Sequence, residues 1–185
     1  MILSATYALT EDGAVELTYK AMTDAPTVIN ITNHSYFNLE GLPEESRNVS
    51  ADDVNVYTHK LWMDADSYLE GDAINMVTGK EIPVEGSLFD FRTEKKIGEV
   101  VYDHNFCING YDGKLRKFAS LVSEKTGIRM DVLTTQPGVQ CYSGARKAVA
   151  LETQHYPDGP NHPEWPGTTL RPGEVYIEKT VYKFS

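Results

Sequence analysis

Glu152, His34, Asp103 and Gln140 are the side chains of this sequence whose types and settings suit chemistry. Ala148-Val149-Ala150-Leu151 reads as a short apolar strand, and Glu152 sits where it gives way to a loop carrying Pro157, Gly159, Pro160 and Pro163. Such a loop can be neither helix nor strand. A strand end is rigid and its loop is exposed, so a carboxylate there is both held and reachable. His34 follows a β-branched run, in Thr-Asn-His-Ser-Tyr-Phe-Asn-Leu; Asp103 lies in Tyr-Asp-His-Asn-Phe and Gln140 in Pro-Gly-Val-Gln-Cys-Tyr-Ser-Gly. By type, a carboxylate and an imidazole move protons near neutral pH. Spacing alone also fits plainer roles: a surface Glu before a turn, a rim or core histidine, a solvated strand-edge aspartate, and a polar side chain on an outer sheet face.

Other chemistries have less behind them. His155, Asp158, His162 and Glu164 lie close in sequence, yet their spacing matches no structural zinc pattern, and no metal is expected. His59 has no nameable partner. Gly-x-Gly-x-x-Gly, a Walker loop and Gly-x-Ser-x-Gly are all missing from the sequence, so nucleotide use and serine-hydrolase chemistry lack support and no cofactor is expected. With 27 acidic and 17 basic side chains the formal charge is -10, which argues against nucleic acid and anionic membranes and is compatible with a neutral sugar. Cys107 and Cys141 sit in apolar segments without a Cys-x-x-Cys, and read as free, buried thiols. No run has membrane-spanning length and the start lacks a basic-then-apolar signal, so a cytoplasmic protein is expected.

The elements that must position these groups are strands. Residues 1–9 are β-rich and turn at Glu11-Asp12-Gly13, after which Val15, Leu17 and Tyr19 alternate with polar residues. The run 27–32 leads into the His34 segment, 40–52 reads as loop, and Val54, Val56 and Thr58 read as a strand. Leu61-Trp62-Met63 is a short apolar piece; 64–86, interrupted by Gly71, Gly79, Pro83 and Gly86, reads as irregular, and the charged stretch up to Gly98 has room for one helical turn. Strands follow at 102–108, at 118–123 and 128–134 around Glu124-Lys125-Thr126-Gly127, and at 139–142. The last strand, after Pro172-Gly173, puts Val175, Ile177, Lys179, Val181 and Lys183 on one face and Tyr176, Glu178, Thr180, Tyr182 and Phe184 on the other. About nine or ten strands without a long helix make an all-β chain, a sandwich of antiparallel sheets in a single domain over 1–185.

Three segments also carry a resemblance. Leu-Glu-Thr-Gln-His-Tyr-Pro-Asp at 151–158, Asn-His-Pro-Glu-Trp-Pro at 161–166 and Leu-Arg-Pro-Gly-Glu at 170–174 together resemble the C-terminal signature of the aldose 1-epimerases, the galactose mutarotases. The His34 segment resembles their catalytic-acid motif, and Asp-His-Asn-Phe at 103–106 and Gly-Val-Gln at 138–140 resemble sugar-site segments. Thr23-Asp24-Ala25-Pro26-Thr27, Pro83-Val84-Glu85-Gly86 with Phe89-Asp90-Phe91-Arg92, and the C-terminal strand match in the same order.

The resemblance implies a galactose-mutarotase-like β-sandwich, or supersandwich, truncated on its N-terminal side. It implies interconversion of the α and β anomers of aldohexoses such as galactose or glucose, with His34 as acid, Glu152 as base and Asp103 and Gln140 holding sugar hydroxyls. Tyr36 would flank the sugar, although a core aromatic is its simpler role. Opening a pyranose needs one proton removed from the C1 hydroxyl and one delivered to the ring oxygen, so an acid and a base suffice without a cofactor. Family members are much longer, and the portion matched is their C-terminal one; the part that brings an arginine and a second histidine to the sugar has no counterpart. Strands left without neighbours would be covered by a homodimer or by a partner supplying the N-terminal strands. The connection 144–151 is short for the family, which raises a shifted or reduced site. Two rival readings are a catalytically inactive sugar-binding or structural remnant and a hexose-6-phosphate 1-epimerase; the latter needs a basic cluster that the motifs lack.

Overall fold

The computed structural model describes residues 1–42, 50, 54–144 and 146–185. One seven-stranded sheet runs, in spatial order, β1 (Ile2–Leu9), β2 (Ala14–Met22), β15 (Tyr176–Phe184), β11 (Arg129–Thr134), β10 (Arg116–Val122), β5 (Lys60–Met63) and β8 (Lys95–Lys96). A six-stranded sheet runs β4 (Tyr36–Phe37), β13 (Val149–Gln154), β12 (Gly138–Tyr142), β9 (Asp103–Ile108), β6 (Ala65–Gly71) and β7 (Val77–Pro83). A small ladder joins β3 (Thr27–Val28) to β14 (Thr169–Leu170).

The two large sheets face each other across one apolar core. Leu17, Tyr19, Phe118, Leu121, Met130 and Val132 from the first meet Phe106, Val139, Cys141, Val149 and Leu151 from the second. Alternation places them there: in β11 Met130, Val132 and Thr134 are buried while Arg129, Asp131 and Leu133 are less so. Cys107 and Cys141 are free and buried, as their settings predict. β13 is buried along nearly its whole length because its outer face is covered too.

The all-β expectation holds, and several local readings change. Residues 64–86 are not irregular: β6 and β7 pair as a hairpin, with Gly71 at its tip and Gly79 inside β7. Gly79 is a point of close approach, with φ +88 and the His162 ring 2.6 Å from where a Cβ would be. The stretch before Gly98, which had room for a helical turn, holds the two-residue strand β8 instead, and 54–58 is turn rather than strand, with Val56 buried. The β-branched run 27–32 pairs only at Thr27–Val28. The proline loop contains a single 3-10 turn at Gly159–Asn161, which Pro160 tolerates at the first turn of a helix. Most of the 40–52 loop, and Ala145 of the short connection, lie outside the described residues. Among the described residues no helix is long and apolar enough to cross a membrane.

Candidate active site

The site is built on the outer face of the six-stranded sheet. Glu152 in β13, Gln140 in β12 and Asn105 in β9 are successive register partners, forming one row across three strands. The parallel row two residues away holds Tyr36, Ala150, Tyr142 and Asp103. Strand period two turns the intervening residues, among them Leu151, Cys141 and Phe106, into the core. His104, next to Asp103, faces inward against Phe89 and Tyr68, and burial pushes its imidazole below the usual histidine range. Across the short 144–151 connection, β12 and β13 pair with Gln140 opposite Glu152.

His34 comes from a segment that runs beside β13 with little ladder pairing of its own; β4 pairs only with Val149 and Ala150. Side chains make the other links. The Tyr182 hydroxyl lies 3.1 Å from Asn33 Oδ1 and 3.0 Å from the Leu151 carbonyl, bridging the residues next to His34 and Glu152. Gln136 Nε2 donates to the carbonyls of Thr153 at 2.9 Å and Ile31 at 3.3 Å. Asn30 exchanges two hydrogen bonds with the His155 backbone, and Asn38 Nδ2 donates to the Lys147 carbonyl at 2.7 Å. The outer edge of β13 is thus satisfied by side chains where β4 does not reach.

The outcome is a His–carboxylate pair at the surface. His34 Nε2 stands 3.2 Å from Glu152 Oε1, with the imidazole 50% exposed and the carboxylate 10%. Burial pushes the Glu152 carboxyl above its usual range; His34 opposes this and the Asp103 charge adds to it. Tyr36 and Tyr142 surround the imidazole, with ring centroids 4.7 and 5.7 Å from it. Tyr36 is about half exposed, so the core role is not the one it has. Gln140 Nε2 donates to Asp103 Oδ1 at 2.6 Å. Beside them opens a cavity of about 250 Å³ lined by Asn75, Asp103, Asn105, Gln140, Gln154 and Asp158.

The loop after β13 forms one wall. Tyr156 and Trp165 pack with Leu69 and Cys107 in a second apolar cluster on this outer face. His162 stacks on Trp165 at 3.9 Å and lies 3.1 Å from Glu164 and 3.5 Å from Asp158, so these side chains brace the loop. Gly138 admits the approach of Tyr156 and Asn105, which would stand 2.9 and 3.0 Å from a Cβ there.

A buried His–carboxylate contact lies elsewhere, and the exposure of its imidazole separates it from the His34–Glu152 pair. His155 and Glu178 are also 3.2 Å apart beside a cavity of about 500 Å³, but their side chains are only 7% and 11% exposed. Glu178 also accepts from the Thr135 hydroxyl, and His155 Nδ1 faces the Pro166 carbonyl. Both groups are committed to partners. His59, for which sequence offers no partner, is buried with Nε2 accepting from the Leu39 amide at 3.0 Å.

Each sequence-chosen residue therefore lies on one face: Glu152 with His34, and Asp103 with Gln140. Tyr142 and Asn105, which were missed, stand two residues from Gln140 and Asp103, and strand periodicity alone would have found them. Asn75 and Tyr182 reach the site from elements whose placement no local signal gives.

Comparison with known proteins agrees with this architecture. An aldose 1-epimerase family profile matches residues 1–183, and the chain belongs to that family. Galactose mutarotase of Mus musculus is 36% identical over 204 residues, covering 97% of this chain and 56% of that protein. Aldose 1-epimerase of Escherichia coli K12 is 35% identical, covering 96% and 57%. The chain thus spans about half the length of the curated relatives it matches. Among solved structures, a GalM/aldose epimerase homologue from C. elegans superimposes with a TM-score of 0.85 at 28% identity, over 98% of this chain and 58% of that one. Galactose 1-epimerase from Lactobacillus acidophilus NCFM gives a TM-score of 0.77 at 24% identity, a likeness of fold, over 99% and 56%.

Proposed function

We propose that this chain interconverts the α and β anomers of a free aldohexose such as galactose or glucose by opening and closing its ring. The observation that carries the proposal is the 3.2 Å contact of His34 with Glu152, on the sheet face that also carries Asp103 and Gln140. The two oxygens that exchange protons, O1 and O5, are bonded to one carbon. An acid and a base for them must stand side by side, and these do. Glu152 takes the O1 proton, the C1–O5 bond breaks as O1 becomes the aldehyde oxygen, and O5 receives the proton of His34. Rotation about C1–C2 presents the other aldehyde face, and the same two groups run the steps backwards. Burial of Glu152 strengthens it as a base, while exposure of His34 leaves it open to the sugar.

Uncharged hydroxyls suit the groove better than phosphate. Asp103 and Asp158 line it and no Lys or Arg does among the described residues, which disfavours the hexose 6-phosphate reading. A cytoplasmic setting belongs to the same proposal, and the free thiols suit a reducing compartment. We also propose that β1 is covered in solution by a second copy or by a partner strand, because all eight of its residues are exposed.

The test is exchange spectroscopy on galactose, following the α and β anomeric resonances, with calorimetry of binding in parallel. Faster exchange with the protein present is expected. Binding without faster exchange would replace this reading with that of a sugar-binding remnant.

A further inference from the structure

We infer that Asn75 is a positioning residue for the sugar-binding carboxylate, an inference that rests on the proposed function. Asn75 lies in the turn between β6 and β7, distant in sequence from the motifs. Its Nδ2 donates to Asp103 Oδ2 at 2.9 Å, while Gln140 Nε2 donates to Oδ1 at 2.6 Å. Each oxygen of the Asp103 carboxylate is thus held by one amide, from opposite sides. A carboxylate has about four acceptor positions, so roughly one on each oxygen stays open. The two amides fix the carboxylate plane and aim the open positions into the cavity, where neighbouring sugar hydroxyls would donate.

The turn does not need this side chain for its own closure. Asp72 Oδ1 accepts from the amides of Ile74 at 2.9 Å and Met76 at 3.0 Å, and the Asp72 amide donates to the Met76 carbonyl at 2.8 Å. What the turn supplies is a left-handed backbone at Asn75, φ 65, a conformation that asparagine tolerates better than most residues. Gly71 makes room beneath it, since a Cβ there would come within 3.1 Å of Asn75 Oδ1. Backbone and neighbour together turn the amide toward Asp103.

The experiment uses Asn75→Gly, which keeps the left-handed backbone and removes the amide, and Asn75→Asp, which keeps the shape and replaces the donor with a charge facing Asp103. Galactose binding is read by calorimetry and turnover by anomeric exchange, in these variants, in Asp103→Ala and in the double variant Asn75→Gly/Asp103→Ala. The expected result is a KM and a galactose Kd raised on the order of tenfold in Asn75→Gly and more in Asn75→Asp, with kcat within about threefold of wild type. In the Asp103→Ala background the Asn75→Gly change should have no further effect, because its target is gone. Wild-type affinity in both single variants would overturn the inference, as would an equal loss with and without Asp103. A wild-type chain that neither binds nor converts an aldose overturns it together with the proposed function. A chain that does both unchanged by Asn75→Gly overturns this inference alone.

Discussion

Glu152 is costly to ionise where it stands, and in the proposed reaction that cost makes it the stronger base. Burial raises its carboxyl, the nearby Asp103 charge raises it further, and His34 partly offsets both. In the proposed reaction the rate carried by ionised Glu152 is present above its raised pKa and is lost as pH falls through it. Asp103→Asn removes one of the raising influences, so the acid limb of the pH–rate profile should move to lower pH even as sugar affinity weakens. An unmoved limb in a pH series would separate Asp103 from Glu152 electrostatically. At this scale the motifs were legible as motifs: Asp103, Gln140 and Glu152 come to one face through the register of three neighbouring strands, and His34 reaches it from the unpaired segment before β4. The exposure of Tyr36 was not legible, since an aromatic beside a histidine reads more simply as core until the covering elements are known.

β13 depends on help from across the sandwich. The Tyr182 hydroxyl, on β15 of the opposite sheet, serves both the Leu151 carbonyl and Asn33, the neighbours of the proposed base and acid. Tyr182→Phe keeps the ring and removes the bridge. About 1 kcal/mol of stability should go with it, a fall of about 2–4 °C in Tm for a chain this long. Turnover should fall about tenfold with KM little changed, because the side chains proposed to bind sugar hydroxyls are untouched and the relative placement of His34 and Glu152 is not. Calorimetric unfolding and exchange kinetics on one preparation check both; a Tm loss with normal kcat would reduce Tyr182 to a core residue. The two faces of β15 were legible from its alternation, but which of them turns inward, and the bond partners of Tyr182, come from chain segments far away. The β6–β7 hairpin was missed for a local reason. Gly71 and Gly79 look like strand breakers, yet each is a point where another side chain comes close, Asn75 and His162 respectively.

At the scale of the molecule, the sandwich has a closed core and an open side. The alternation of apolar residues made the all-β class legible, whereas the strand order, with β15 between β2 and β11, is set by pairings of long sequence separation. Among the described residues β1 pairs only with β2, and it exposes every one of its own residues, including Ile2, Tyr7 and Leu9. Unpaired backbone along such an edge invites another strand. Sedimentation at micromolar concentration should therefore show reversible association, weakened by Tyr7→Lys, which puts charge on the edge. A monodisperse monomer across that range would contradict it.

The central claim is that His34 and Glu152 exchange protons with O1 and O5 of an aldose, and polarimetry of freshly dissolved α-D-galactose tests it most directly. The approach to anomeric equilibrium should be faster with the chain than without it. Glu152→Gln and His34→Ala, each shown to be folded, should each lose on the order of 10²–10⁴ of that acceleration. Acceleration that survives in Glu152→Gln would contradict the account.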